Sequence, residues 1–299
     1  MQNPKVSVCV ITYNHELYIE DCILSILGQV TDFSYEIIIG DDCSTDKTCS
    51  IVEGYRAEYP DIIKFISQNV RSFGALNYET VHAAAAGEYV AHVDGDDLLL
   101  PNKLQAQVNL FDTDPLITIL WHRVVLFDGD TAVAHPCHST SYLDTKISQA
   151  DLVLYGPFGP HSSTMYRKKN YYLRNTFFVG NDWFISVQLI GDSYGLMMSD
   201  VLGYWRVTSS GISAGLSANY KNRLLLTRCQ SEILRIYPSY SSLISLRALC
   251  VFIWDLFNLK SYAYLSLVVI FKSNSFPNLC KLRMLLNFFR SSRLPAIFS

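Results

Sequence analysis

The run "EYVAHVDGDD" (88–97) ends an apolar stretch in three carboxylates, Asp94, Asp96 and Asp97, interrupted by one glycine. Like charges this close raise each other's pKa and repel unless a cation lies between them. Mn²⁺ or Mg²⁺ takes oxygen ligands and is usually held by one or two carboxylates plus substrate phosphates. The turn therefore predicts a divalent metal bridging to a nucleoside diphosphate. The competing reading is a helix cap at Asp96 or Asp97, worth about 1 kcal/mol, which needs one acid where the chain has three. A second acidic pair, Asp41 and Asp42 in "DDCSTD" (41–46), suits hydrogen bonding to a base N–H or a ribose hydroxyl, or capping of the helix after Thr45. Tyr13 in "TYN" (12–14) offers a face for base stacking, worth about 1–3 kcal/mol, or plain packing at a strand end.

These residues need a scaffold that gathers them. "VSVCVI" (6–11), "YEIIIG" (35–40), "IIKFI" (62–66) and "EYVAHV" (88–93) are short β-branched or aromatic runs bounded by polar or Gly/Pro residues. Helical segments fall between them at about 16–28, 46–59 and 74–86. Strand alternating with helix means βαβ units, a parallel sheet and right-handed crossovers. The expected fold is α/β, Rossmann-like, with a mostly parallel sheet flanked by helices. Ligands of such sheets bind beyond the carboxyl ends of the strands, which places "TYN", "DDCSTD" and "DGDD" on one rim. No G-x-G-x-x-G follows the first strand and no G-x-x-x-x-G-K-[ST] occurs, so phosphates must be held another way.

After about residue 115 the alternation loosens: "ITILWHRVVLF" (117–127) reads as a strand, and a turn-rich stretch runs to about 145. A helix near 147–154, the "GPFGPHSSTMYRK" segment, a helix from about Asn181 and a strand "LGYWRV" (202–207) follow. Beyond Tyr220 the pattern is helical, apolar and basic. Residues 1–220 carry 13 Lys/Arg against 25 Asp/Glu, a formal −12, and 221–299 carry 11 against 2, a formal +9. An acidic body argues against nucleic acid as partner. The basic tail, with the amphipathic "KLRMLLNFFRSSRL" (281–294), suits either a peripheral contact with anionic lipid or a helical cap on the same domain. Eight cysteines without a C-x-x-C pair, and no apolar signal segment before Val6, suggest a reducing cytoplasm, at the inner face of the membrane if the tail touches lipid. The expected division is 1–220 for the α/β domain and 221–299 for the tail.

In order along residues 4–215, "PKVSVCVITYNHELYIEDCILSILGQ", "EIIIGDDCSTDKT", "NVRSFGALNYETVHAAAAGEYVAHVDGDDLLLPNKL" and "VGNDWFISVQL" resemble the family 2 glycosyltransferases of the GT-A fold. That resemblance implies a nucleotide-sugar donor, a metal at the acidic turn, inversion at the anomeric carbon and no covalent intermediate. Thr12, Tyr13 and Asp42 match the family's nucleoside contacts, and Arg71 a basic position near the nucleotide. Asp94 matches the sugar-diphosphate side of the turn, and Asp96 with Asp97 its metal side. Asp182 in "GNDWF" falls where the catalytic base sits, with Asn181 in place of a glutamate. Arg206 in "YWRVTSSGIS" is a diphosphate candidate, and Thr208 stands where the family has a histidine.

The expectation is thus a metal-dependent inverting glycosyltransferase acting on a saccharide hydroxyl. The donor would be a nucleotide-diphosphate sugar, with a lean to UDP. The basic tail suggests a lipid-linked acceptor, as in surface-polysaccharide or O-antigen assembly. Two other classes stay open. A nucleotidyltransferase would be expected to carry a Gly-rich basic loop where this chain has "TYNHELY", and a catalytically inactive binding protein of the same fold to lack the metal turn or the base.

Overall fold

The computed structural model describes residues 3–127, 132–134, 142–170, 181–207, 220–257 and 263–273. Four parallel strands open the chain: β1 (Val6–Thr12), β2 (Tyr35–Asp41), β3 (Ile63–Ser67) and β4 (Tyr89–Asp94). They are joined by α1 (Ile19–Leu27), α2 (Thr48–Glu58) and α3 (Ala75–Ala84), within a few residues of the helices expected from periodicity. β5 (Leu98–Leu99), α4 (Lys103–Thr113) and β6 (Ile117–Phe127) follow, then β7 (Ala132–Ala134), β8 (Lys146–Ser148), α5 (Gln149–Tyr155) and β9 (Met165–Arg167). α6 (Asp182–Ile190) and β10 (Tyr194–Arg206) complete the sheet, and α7 (Tyr220–Ile236), α8 (Ser241–Phe257) and α9 (Tyr264–Ser273) follow it.

The sheet order is β3-β2-β1-β4-β9-β6-β10-β5. β9 runs antiparallel to both β4 and β6, and β10 runs parallel to β6. A Rossmann-like parallel half is therefore continued by a mixed half. Strands buried on both faces read as unbroken apolar runs, which is why β1, β2 and β4 were legible. Alternate residues serve opposite layers: Val8, Val10, Ile37, Ile39, Ala91 and Val93 face α1, α2 and α4, and Cys9, Ile38 and Val90 face α3. The second layer continues through α5 and α6 to Cys229 and Ile233 of α7, Ile244 and Val251 of α8, and Val269 of α9.

Two parts of the second half differ from expectation. β10 starts at Tyr194, eight residues before the expected strand, because register shifts at 194/195, 197/201 and 201/203 break its alternation. No helix starts at Asp96 or Asp97; β5 intervenes and the next helix begins at Lys103. Among the described residues no single helix is long and apolar enough to cross a membrane. The segment 281–294 and Thr208 lie outside the described residues.

Candidate active site

Strand register assembles the rim. Thr12 at the end of β1 pairs with Asp41 at the end of β2, and Ile11 pairs with Asp94 at the end of β4. The loops after β1 and β2 are bonded together: Asn14 Oδ1 accepts from the Thr45 N–H (2.8 Å), and the Asn14 and His15 N–H groups donate to Ser44 Oγ and Thr48 Oγ1 (2.8 Å each). Asn14 adopts φ +52°, a turn conformation that asparagine tolerates.

Asp42 is 2% exposed. Its Oδ1 accepts from the Ser72 N–H (2.8 Å) and hydroxyl (2.6 Å), and its Oδ2 from the Gly74 N–H (2.8 Å). Gly74 sits at φ +87°, where a side chain would be strained. Asp42 thus holds the loop that carries Arg71. The Arg71 guanidinium lies 3.8 Å from the centroid of the Tyr13 ring and 4.6 Å from that of the exposed Phe73. This part of the rim is therefore an aromatic-cation stack, held in place by Asp42 through the loop.

The three acids of the turn separate by role. Asp94 is 40% exposed at the side chain, and Asp96 is half-buried. Burial first, and then the like charge of Asp94, raise Asp96 above the ordinary carboxylate range, while His15 and Arg206 oppose the rise. Asp97 departs from the metal-side expectation. It is 1% exposed; Oδ1 accepts from the Arg206 N–H (2.8 Å) and Oδ2 from the Ser162 hydroxyl. Ser162 Oγ also accepts from the Asp94 N–H (2.9 Å). Asp97 is consequently a staple joining the turn after β4 to β10 and to the 3₁₀ turn His161–Ser163. Burial, then Asp96 and Asp94, push its carboxyl well up. Beneath it, Lys103 is fully buried, and burial brings its amine down to about 7 against the opposing pull of Asp97.

Arg206 is buried behind the same turn. Its Nε donates to the Asp96 carbonyl (2.9 Å), and its guanidinium lies between the rings of Tyr18 (4.5 Å) and Phe127 (4.3 Å). This braces the turn with a positive charge. A residue set of this kind fits a divalent cation: two acids at the rim, a cation held behind them, and two buried polar atoms, Thr12 Oγ1 and His15 Nδ1, without a hydrogen-bond partner among the described residues. A Cβ on Gly95 would lie 2.9 Å from that Thr12 oxygen and 3.0 Å from that His15 nitrogen, so the glycine leaves both open to the turn.

Asn181 explains its own presence beside Asp182. It is the N-cap of α6, accepting from the Phe184 N–H (2.9 Å). One oxygen of Asp182 accepts from the Trp183 N–H (3.0 Å), and the half-buried carboxylate is relieved of capping. His161 senses both Asp182 and Asp94, whose charges oppose the fall of its pKa to about 4 caused by burial and then by His92. The 3₁₀ turn thus lies between the acidic turn and the base candidate. From sequence, His161 with Ser162 and Ser163 reads equally as a donor or acceptor contact and as an ordinary loop histidine; their link to Asp94 depends on β9 lying between β4 and β6, which no local pattern announces. A separate surface cavity of about 1100 Å³ lies at the opposite, amino-terminal edge, around Lys5, Glu88 and Arg167. Its lysine is already paired with Glu88 (2.9 Å) and Asp112 (3.2 Å), and none of the rim residues line it.

A Rossmann-like parallel half continued by a mixed half, with an acidic turn where they meet, is the architecture of the GT-A glycosyltransferases. It is shared by S. aureus TarS in complex with UDP-GlcNAc, at 18% identity over 98% of this chain and 81% of that one (TM-score 0.61). The mannosyltransferase PcManGT of Pyrobaculum calidifontis, in complex with GDP-Man and Mn²⁺, matches at 19% identity over 100% and 84% (TM-score 0.63). The model of glycosyl transferase family 2 matches residues 7–173, and the chain belongs to that family. An uncharacterised protein of Mycobacterium bovis is 31% identical over 213 residues, 69% of this chain and 60% of its own length. The chain thus spans about three fifths of the length of such curated relatives.

Proposed function

We propose that the protein is a metal-dependent, inverting glycosyltransferase that moves a sugar from a nucleotide-diphosphate donor to a saccharide hydroxyl. The observation that carries this is the register that brings Thr12, Asp41 and Asp94 to one rim, with Asp96 braced by Arg206 beside them. In this reading Tyr13 and Arg71 receive the nucleoside, with Thr12 and Asp42 at its side, and Asp94 meets the sugar-diphosphate end. Asp96 would hold Mn²⁺ or Mg²⁺, with Thr12 Oγ1 and His15 Nδ1 close by. Asp97, fully engaged inside, would act through the shape of the turn. When bound, the cation supplies charge neutralisation for the departing diphosphate. Asp182 accepts the proton of the attacking acceptor hydroxyl, which is otherwise too weak a nucleophile near neutral pH. Attack from the face opposite the leaving group inverts the anomeric carbon in one displacement. UDP-GlcNAc and GDP-Man in the two structural relatives support a nucleotide-sugar donor without choosing between bases.

The acceptor is proposed to be a lipid-linked saccharide of bacterial surface-polysaccharide or O-antigen assembly, met at the inner face of the cytoplasmic membrane. The basic helical region beyond Tyr220 supports this, with Leu256 and Phe271 exposed at 58% and 81%.

The test is a panel of nucleotide sugars with and without Mn²⁺, read as release of nucleoside diphosphate. Metal-dependent release supports the transferase; pyrophosphate chemistry, or neither, would replace it by a nucleotidyltransferase or a binding protein. Asp96→Ala is expected to abolish metal-linked donor binding, and Asp182→Ala to spare binding and stop transfer. Near-normal turnover by Asp182→Ala would remove it as the base.

A further inference from the structure

Behind the acidic turn lies a line of hydrogen-bonded rings. Tyr166 of β9 contacts His82 Nδ1 of α3 through its hydroxyl (2.7 Å), His82 Nε2 contacts His92 Nδ1 of β4 (3.0 Å), and His92 Nε2 contacts Asp94 Oδ1 (3.1 Å). Tyr166 and His82 are fully buried, and His92 is 1% exposed. Period-2 alternation puts His92 and Asp94 on the same face of β4, the face covered by α3 and the His161–Ser163 turn. Tyr78 stacks on His82 with centroids 3.7 Å apart, and His161 on His92 at 3.6 Å, so the rings are clamped from the side.

The direction of the line follows from its end. A carboxylate at Asp94 only accepts, so His92 Nε2 carries the proton and His92 Nδ1 must accept. His82 Nε2 then donates and its Nδ1 accepts from the Tyr166 hydroxyl. Every donor points towards Asp94. Neutral rings add no countercharge, so they fix the carboxylate without cancelling the charge it offers to a ligand. The surrounding layer is apolar, and setting three polar rings in it costs desolvation that a same-shaped apolar set would avoid. The 40% exposed oxygen-bearing end at the rim is what distinguishes this cluster from packing.

We propose that Tyr166, His82 and His92 form a positioning chain whose final N–H orients Asp94 for the transferred sugar, making His92 a determinant of donor use. This rests on the donor-site reading above. It also assigns His92, which has a ring nitrogen within 4.8 Å of an Asp94 carboxylate oxygen and of a His161 ring nitrogen, to orientation and not to metal ligation. His92→Phe removes the N–H while keeping a ring against His161, and His92→Gln restores an N–H in place of Nε2.

The test uses the full chain, with the nucleotide sugar selected by the panel and the matching nucleoside diphosphate. His92→Phe is expected to lower kcat/KM for the nucleotide sugar about 10–100-fold, the usual effect of losing a hydrogen bond behind a ligand-binding group. Its affinity for nucleoside diphosphate with Mn²⁺ should stay within about twofold, and His92→Gln should recover most of the loss. Unchanged kcat/KM in His92→Phe, equal loss of Mn²⁺-nucleoside diphosphate binding, or no rescue by Gln in a folded protein would each overturn the proposal. A second readout needs no turnover: ¹⁵N spectra of histidine-labelled protein should show His92 with its proton on Nε2, and Asp94→Ala should abolish that state. A His92 protonated on Nδ1 refutes the chain even in an active enzyme. A wild type with the Nε2–H form but no activity on any nucleotide sugar refutes the donor-site reading instead.

Discussion

Replacing Ser162 by alanine would test the staple at the heart of the site. Its hydroxyl donates to Asp97 and accepts from the Asp94 N–H at 2.9 Å, in a position only 5% exposed. Alanine removes both bonds and creates almost no void, so hydrogen bonding alone sets the size of the effect. A bond to a buried carboxylate is worth about 1.5–3 kcal/mol, and one to a backbone N–H about 1 kcal/mol. The expected loss is about 2–4 kcal/mol, or about 3–6 °C in Tm for a chain of this size. Its pH dependence has a definite sign. Burial, then Asp96 and Asp94, raise the Asp97 carboxyl, and the Ser162 bond works against that rise by favouring the ionised form. That contribution is present where Asp97 is ionised and is lost as the pH falls through its native pKa, so the gap between wild type and variant should narrow in acid. Circular dichroism melts at a series of pH values, with kcat/KM for the nucleotide sugar alongside, are the assay. A variant that melts within about 1 °C of wild type at neutral pH would show that the staple carries no stability, against the expectation from two buried hydrogen bonds.

Gly87→Ala should destabilise by about 3 kcal/mol or more, because its Cβ would lie 2.6 Å from Ser7 N and 2.7 Å from Val6 C, backbone atoms of β1 that cannot give way; urea midpoints measure this. Burial would raise the Glu36 carboxyl, but bonds from Lys64 (2.7 Å), Ser7 (2.6 Å) and the Ala86 N–H (2.8 Å) leave it below its ordinary 4.5. Glu36→Gln should therefore lose about 1–3 kcal/mol at pH 7, with allowance for the 57% exposed lysine, and the difference should fade below pH 4.5 as the wild-type group protonates. Arg206→Lys keeps the charge but drops the Nε–H bond to Asp96 O and the fit between Tyr18 and Phe127, so kcat/KM should fall about tenfold with the fold intact, read by steady-state kinetics and a melt.

The parallel half could be read from the chain because burial on both faces demands unbroken apolar runs, and the rim residues are those that follow them. The mixed half could not. β9 is three residues long and is defined by pairing with strands some 50 and 75 positions away, and β10 loses its alternation at its bulges. Composition marked Asp96 and Asp97 alike, yet Asp97 points inward because Ser162 and the Arg206 N–H approach it from outside its own segment. Asn181 looked like a lost charge and is a helix cap. His92 was legible in principle, since a histidine two residues before a rim aspartate shares its face, but it stood inside a run that otherwise reads as core.

The Asp97 staple also bears on how this scaffold can be re-engineered. A crossover placed just after the acidic turn would take Asp97 from one parent and the residues that bond to it from the other. Here such a graft would import foreign partners for an acid that belongs to the recipient. Unless the incoming segment supplies a hydroxyl in place of Ser162 and a main-chain donor in place of Arg206, the chimera inherits an orphaned charge in its interior, so the two halves are exchangeable only as a matched set.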